Sequence, residues 1–576
     1  MEYVADFETT TDVQDCRVWA WCVTLIEDST QRYYGNNIET FLQFTYENGG
    51  IYWFHNAAFD CEFILYYLLT HGFEYSEKAR TKTFKTLISN SGQFYQMKVT
   101  YEKKGKKKSK SATFKDSLKK LPMPVERIAK SFNLPIRKLS IDYTAQREIG
   151  HELTPQEIDY ITNDVVIVAE ALKTQFGKGL TRLTIGSDAL NHYQDILGKK
   201  WADLFPKISL EMDENIRKAY RGGYTYAAPR FQADDSHPDR IQGAGCAFDV
   251  NSLYPDVMYH RPLPVGAPIW FKGEYTPDPQ YPLYIQFLTC HCVLKKDHLP
   301  TLQIKHNPFF METEYIHDTE GYVELALTSV DLEILNQQYD VTVLSYNGGY
   351  KFESMTGIFN EYIDYWMEIK ANSEGGIRQL AKLMLNSLYG KFATNPDVTP
   401  KVPYIKDNGS VGYKLGDKET RDPVYTPMGC FITAWARYKT INAAQSVYDR
   451  FMYCDTDSIH LLGLEPVKDL DIHPTRLGAW KHESNFSQAK YVRAKTYMER
   501  IIEVGKIVDG VYTMVPVQGD NSEPYIDDVK CAGLPAELKK QVTFDNFKRG
   551  LKLFGKLRPV HVAGGIVLKP SPFTLT

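Results

Sequence analysis

The chain has 576 residues, three to five domains' worth of material at roughly 100–200 residues each, which excludes a peptide-sized binder. Lys and Arg number 67 against 71 Asp and Glu, a formal net charge of −4, so binding by bulk positive charge in the manner of a histone is excluded and any nucleic-acid surface must be local. With 43% hydrophobic and 24% charged residues the chain can build real cores, and its longest apolar run, residues 63–69, is far short of the roughly 18 residues a membrane span needs. Nine Cys fit reduced thiols better than a disulfide framework, and MEYVADFETT carries no secretory pattern.

Residues 1–187 read as mixed α/β: VADFETT and VWAWCVTLI predict strands, FDCEFILYYLLTHGF a helix ending near Gly72, and ITNDVVIVAEALKTQF a second helix. The run from Lys103 to Lys120 holds nine Lys and one acid, Asp116, and reads as a solvated loop rather than a phosphate site. Asp6 and Glu8 alternate on one strand face, Asp60 closes HNAAFD at a helix start, and Asp164 follows Tyr160 by one helical turn. Four carboxylates so placed suit a two-metal site that hydrolyses a phosphodiester.

Beyond residue 187 come AYRGGYTY and then CAFDVNSLYPDVM, an apolar strand that ends at Asp249 and bends through Ser252 and Leu253 to Tyr254. Residues 261–357, rich in Pro and Tyr, predict an inserted subdomain. FNEYIDYWMEIK, the turn ANSEGG and IRQLAKLMLNSLYGKF predict a helical hairpin whose second arm puts Arg378, Lys382 and Asn386 on one face, with Tyr389 and Gly390 a turn further on. Two cations and an amide there suit a triphosphate. Asn408-Gly409 between VPYI and VGYKL is the strongest hairpin signal in the chain. MYCDTDSIHLL reads as two short strands joined by an acidic tip: in YCDTDS, Asp455 and Asp457 stand two apart, which on extended backbone turns both to one face, where either a cation separates them or one pKa rises, whereas DTD taken alone reads as an exposed hairpin turn. Mg²⁺ usually takes only one or two protein carboxylates plus substrate phosphates, so Asp249 and Asp457 suffice for a two-ion phosphoryl transfer. From Leu538 to Lys569 eight Lys or Arg against Asp545 predict a basic surface.

Taken together, DFETT, HNAAFD and YITND resemble the three exonuclease motifs of family B DNA polymerases of the DEDDy type, and DVNSLYP, KLMLNSLYG, YCDTDS and KTY resemble their polymerase motifs, in order along essentially the whole chain. The resemblance is to the protein-primed branch. It implies a multidomain α/β chain: an RNase H-like 3′–5′ exonuclease (1–187), palm (188–260 and 427–529), fingers (358–393), thumb (530–576), and two insertions, 261–357 and 394–426. By matching motif it implies that Asp249, the Val250 carbonyl and Asp457 bind the polymerase metals beside Asp455. Tyr254 would stack under the incoming sugar, Lys370, Arg378 and Lys382 would hold its phosphates, and Asn386 and Tyr389 would line the nascent pair. Lys495 and Tyr497 would grip the primer, with Thr433 and Arg437 of TAWAR near the same duplex. Asp6, Glu8, Asp60 and Asp164 would be the exonuclease metal ligands, Tyr160 would orient the water, and Lys138 would assist.

The resemblance further implies that Thr9, Asn56, Phe59, Ser117 and Leu118 hold the frayed strand, while Tyr220, Gly222 and Gly223 of YRGG approach the template. Lys305 and Tyr315 of the first insertion would contact a priming terminal protein, and the second insertion would close a ring around DNA and displace a strand. The implied cofactor is Mg²⁺, with Mn²⁺ able to substitute, two ions per site. The implied partners are primer-template DNA, dNTPs and the terminal protein in a 1:1 complex, with no membrane, in the cytoplasm of an infected bacterial host. Two departures stand out: Arg378 occupies a family lysine position, and Leu139-Ser140 follow Lys138 where an acid is usual. Two other readings compete. A cellular RNA-primed family B polymerase would lack the insertions, and a non-catalytic nucleic-acid scaffold would keep basic surfaces without the carboxylates.

Overall fold

The structure, a computed structural model, describes residues 1–105, 108–143, 145–304 and 310–576, leaving aside the side chains of Lys108 and Asn521. It is a multidomain α/β chain built on three principal sheets.

The first sheet is mixed. Its centre pairs Glu2–Thr9 in parallel with Gly50–Phe54, which pairs in parallel with Lys108–Asp116, while Val18–Leu25 runs antiparallel beside the first strand. Val18–Leu25 is apolar along nearly its whole length because helices cover one face and more aromatic packing the other. Pro155–Phe176 is the principal helix against it. It opens with a capping box, Thr154 accepting from the Glu157 N–H while the Glu157 carboxylate accepts from the Thr154 N–H, and Pro155 fits the first turn where no N–H is needed. The lysine run departs from its expectation. Lys108–Asp116 is a sheet strand paired with Phe94–Lys104; Lys110 lies 3.9 Å from the Tyr46 ring centre and Lys115 4.8 Å from that of Trp53. The aliphatic stems of lysine cover apolar surface while the charged ends reach outward, which charge counting does not register.

A buried weld joins this unit to the next. Lys120 and Asp188, both 0% exposed, form an ion pair, and the Lys120 Nζ also donates to the Leu180 (2.9 Å) and Arg182 (3.0 Å) carbonyls. Asp188 sits on Ile185–Leu197, which packs against the helix Gly375–Ser387.

The second sheet has Gly245–Val250 near its middle, flanked by Ser458–Leu462 and Trp480–Arg493, with Phe451–Asp455 and Thr225–Ala227 on one side and Thr496–Val508 on the other. The long helix Thr426–Ser446 is buried on nearly every face beneath it. Ile526–Cys531 pairs with Thr496–Val508, carrying this sheet across the boundary expected between residues 529 and 530. The helical hairpin is observed as Asn360–Asn372 and Gly375–Ser387, with a shorter turn than the six residues expected.

The inserted segment forms its own antiparallel sheet from Leu263–Phe271, Leu283–Leu294, Val323–Thr328 and Tyr339–Met355, with the helix Ser329–Gln338. The Asn-Gly hairpin pairs Lys401–Ile405 with Val411–Leu415, and a C-terminal hairpin pairs Lys552–Val562 with Gly565–Thr574. All nine cysteines are free thiols. No helix among the described residues is long and apolar enough to cross a membrane.

Candidate active sites

Asp249 ends the central strand, in register with Ser458 on one neighbour and Lys481 on the other. The backbone then turns sharply: Ser252 adopts a left-handed conformation (φ 59°) and caps the helix Leu253–His260, which presents Tyr254. Across from Asp249, the tip Asp455–Ser458 is drawn in by the Val250 N–H, which donates to the Asp457 carbonyl (2.7 Å). Thr456 is left-handed (φ 62°), so the tip is a turn and not extended backbone. Of the two readings of this tip the hairpin turn holds and the extended backbone does not, while both carboxylates still line one pocket with Lys495. Asp455 is engaged by Thr225 Oγ1 (2.9 Å) and Lys495 Nζ (2.8 and 2.9 Å), leaving Asp457 opposite Asp249.

Asp249 and Asp457 line a cavity of about 760 Å³ with Val250, Tyr254, Lys370, Arg378, Lys382, Asn386 and Tyr389. Every expected nucleotide contact is therefore brought to one place. Tyr254 and Tyr389 stack with ring centres 3.9 Å apart. Burial, then the nearby charges of Asp457 and Glu483, push the Asp249 carboxyl up to about 8, and burial raises Asp457 as well. Lys370 is lowered by burial and by Arg378 and Lys382, as expected of cations crowded together. Lys481 and Glu483 in the same cavity were not anticipated; the strand register opposite Asp249 is the signal that could have found them.

The second carboxylate set lies in the first sheet. Asp6 and Glu8 project from Glu2–Thr9, Asp60 from Ala57–Thr70, and Asp164 from Pro155–Phe176. The Phe7 N–H donates to Asp60 Oδ1 (3.3 Å) and Lys138 Nζ to Asp164 Oδ2 (2.6 Å). Burial and the charge of Asp164 lift Asp6 to about 7; Glu8 and Asp60 are raised by burial and then by Asp6, and Asp164 by burial. Tyr160 is buried with its hydroxyl against that of Tyr143. The other Asp164 oxygen, Oδ1, is buried without a hydrogen-bond partner.

Both sets fit divalent cations: like charges held together in low dielectric, and an orphaned carboxylate oxygen, are relieved by a metal. Among the described residues no three His, Cys, Asp or Glu side chains converge closely enough to hold a metal alone.

Several expected DNA contacts have a different disposition. Ser117 is buried; its hydroxyl donates to the Phe54 carbonyl (3.0 Å) and meets His55 Nδ1 (3.0 Å). Asp116, not anticipated in any role, accepts from the backbone N–H groups of Asn56 (3.1 Å), Ala57 (3.3 Å) and Leu118 (3.0 Å), and so fixes the start of the helix that Asn56 precedes and Phe59 stands on. Thr433 donates to the Gly429 carbonyl (3.0 Å) within its own helix. Arg437 is spent on Asp331 and on the Arg221 and Gly222 carbonyls (2.7 Å each), so it shapes the YRGG loop from beneath. Gly223 is required there for closeness: a Cβ would come within 2.6 Å of Thr456 Oγ1. Tyr220, Gly222 and Tyr315 line a cavity between the inserted and central sheets, where the Tyr315 hydroxyl accepts from the Thr225 N–H (3.3 Å). Lys305 lies outside the described residues. Thr9 is half-buried, and Tyr497 packs on Tyr453 with ring centres 4.7 Å apart.

A nucleotide-sized cavity lined by paired carboxylates and by the cations of Lys370, Arg378 and Lys382, in a chain that carries a second, separate acidic centre, defines a nucleic-acid polymerase with an attached nuclease. The model of DNA polymerase type B, organellar and viral, matches residues 42–471. The DNA polymerase of Bacillus phage M2 is 50% identical, covering 100% of this chain and 99% of its own, and that of Bacillus phage phi29 is 48% identical over 100% and 98%. The DNA polymerase of Streptococcus phage Cp-1 is 30% identical over 100% and 98%. The solved structure of phi29 DNA polymerase with primer-template DNA and incoming nucleotide superposes with a TM-score of 0.93 at 47% identity, covering both chains fully. This chain belongs to the organellar and viral type B DNA polymerases. It is a protein-primed DNA polymerase with 3′–5′ exonuclease activity, dependent on divalent metal.

Proposed function

We propose that residues 1–187 are an RNase H-like proofreading exonuclease, that 188–260 and 427–529 form the palm, 358–393 the fingers and 530–576 the thumb, and that the insertions serve priming (261–357) and strand displacement (394–426). The observation that carries this reading is the cavity in which Asp249 and Asp457 face Lys370, Arg378 and Lys382. Asp249, Asp457 and the Val250 carbonyl would hold two Mg²⁺, or Mn²⁺, and Asp6, Glu8, Asp60 and Asp164 would hold the exonuclease pair. Bound there, the ions supply an activated attacking oxygen and neutralise charge on the leaving one.

The chain's own groups do the rest. Lys370, Arg378 and Lys382 place three positive charges where the triphosphate lies, pre-paying its orientation. Tyr254, fixed by its stack on Tyr389, closes the sugar side and excludes a 2′-hydroxyl by sterics. Lys495, already paired with Asp455, is positioned to take a primer phosphate, with Tyr497 behind it. In the exonuclease centre Tyr160 would orient the water and Lys138 would restrain Asp164 until substrate arrives. Both insertions fold as sheets of their own, which favours the protein-primed over the RNA-primed architecture. The partners are then primer-template DNA, dNTPs and a terminal protein bound 1:1 near Tyr315, in the cytoplasm of a bacterial host.

The test separates the centres. Asp249→Ala or Asp457→Ala abolishes nucleotide addition and leaves single-strand degradation, whereas Asp6→Ala with Asp164→Ala does the reverse. Equal loss of both activities in a folded variant overturns the assignment. Primer extension with and without a cognate terminal protein tests the priming partner.

A further inference from the structure

Three segments far apart in sequence meet on one helix. Glu62, on Ala57–Thr70, is 1% exposed. Its Oε2 accepts from the Tyr413 hydroxyl (2.5 Å), which belongs to the Asn-Gly hairpin, and its Oε1 meets His561 Nδ1 (2.5 Å), which belongs to the C-terminal hairpin. Around this pair Val411, Ile566 and Val567 join the core of the first sheet. The two hairpin tips also meet each other: a Cβ at Gly409 would stand 3.6 Å from that of Ala563. The C-terminal tip is pressed onto the helix and its neighbour so closely that a Cβ at Gly564 would reach 2.0 Å from the Cys16 carbonyl, and one at Gly565 would reach 2.5 Å from the Phe63 ring. Both glycines also have positive φ, 98° and 155°.

We propose that Glu62, Tyr413 and His561 form a clasp that holds the two hairpins shut around DNA, and that the ring opens at this junction when the enzyme loads. The inference rests on the reading of residues 394–426 as a displacement hairpin and deepens it by naming the closure. A buried carboxylate that gives one oxygen to each hairpin holds both against the same helix. With either donor lost, the other arm keeps a strong charge-assisted hydrogen bond, and with both lost the carboxylate is stranded in an apolar surround. None of the three residues lines the nucleotide cavity, so they are positioning residues for retention of DNA and not catalytic ones.

Two experiments decide it. In Tyr413→Phe, single-nucleotide addition on a short primed duplex stays within about twofold of wild type. Median product length per binding event, measured on a primed circle with trap DNA, falls about tenfold, the population change worth one such hydrogen bond. Next, Gly409→Cys with Ala563→Cys places two thiols at a separation a disulfide accepts. Oxidised, this variant extends a short linear primer-template but cannot load onto a closed circle; reduced, it loads as wild type does, so the same molecule serves as its own folding control. Equal loading by oxidised and reduced forms overturns the clasp, as does wild-type product length in the first variant. Deleting residues 402–415 separates the two ideas. If that deletion leaves product length unchanged, the ring itself is wrong; if it shortens products while the clasp variants do not, only the clasp is.

Discussion

Arg437→Ala removes the cation that ties the helix Ser329–Gln338 of the inserted segment to the Tyr220–Gly223 loop. The guanidinium makes three contacts with Asp331, at 3.0, 2.7 and 2.8 Å, and donates to the Arg221 and Gly222 carbonyls; both side chains of the pair are 7% exposed. Breaking one side of a buried pair costs about 3–5 kcal/mol, because the survivor is left charged in low dielectric. Asp331 keeps the Thr328 hydroxyl (2.8 Å) and the N-terminal turn of Ser329–Gln338, and the helix end returns about 0.3–1 kcal/mol. A net loss of roughly 3 kcal/mol is expected. Its effect is local, since Tyr224 of the same loop accepts from the Thr456 N–H (2.8 Å) in the catalytic tip. Polymerase kcat should therefore drop at least tenfold with single-strand degradation unchanged, and hydrogen exchange should speed up at residues 221–224. Because the chain is multidomain, exchange is the better gauge of the loss than a single melting temperature. Adding Asp331→Asn removes the stranded charge, so the double variant should regain part of the protection. Unaltered exchange and an unaltered ratio of synthesis to degradation in Arg437→Ala would refute the reasoning.

Lys120→Met strands Asp188 in the weld between the first two units and should cost about 3–5 kcal/mol, seen as a lower apparent Tm, with Asp188→Leu recovering much of it. In metal-free protein Asp6 and Asp249 are raised to about 7 and 8, above their unfolded value of about 4. Stability from these groups is therefore present below about pH 4 and is lost as pH rises through 7 to 8, so Tm in a chelator should fall between pH 6 and 8.5, and Mg²⁺ should raise Tm more at pH 8.5 than at pH 6. A pH-independent Mg²⁺ effect on Tm would contradict this. Gly223→Ala drives a methyl into Thr456 and should lower kcat with little change in nucleotide KM, which steady-state kinetics will show.

The motifs were legible because their chemistry is local. Asp249 ends an apolar strand, Arg378, Lys382 and Asn386 recur at helical spacing, and Asn408-Gly409 marks its own turn; each is visible within a dozen residues, the cavity gathers the first four as expected, and the turn joins its two strands. What stayed hidden is what depends on a distant partner. Asp116 stood out only as the single acid in a lysine run, and nothing nearby says that besides the N–H of Leu118 it collects those of Asn56 and Ala57 from a distant segment. Arg437 reads as a duplex contact until the inserted sheet delivers Asp331 to it across 106 residues. Asp455 and Asp457 look equivalent until one left-handed residue, Thr456, splits them between a lysine and an open cavity. The pattern has a physical cause. Periodicity reports which side of an element is apolar, whereas charge pairing over hundreds of residues depends on how the elements are assembled. In a chain assembled from several packed units, the residues suited to chemistry are therefore easier to read than the residues that hold those units together, and Glu62, Tyr413 and His561 are of the second kind.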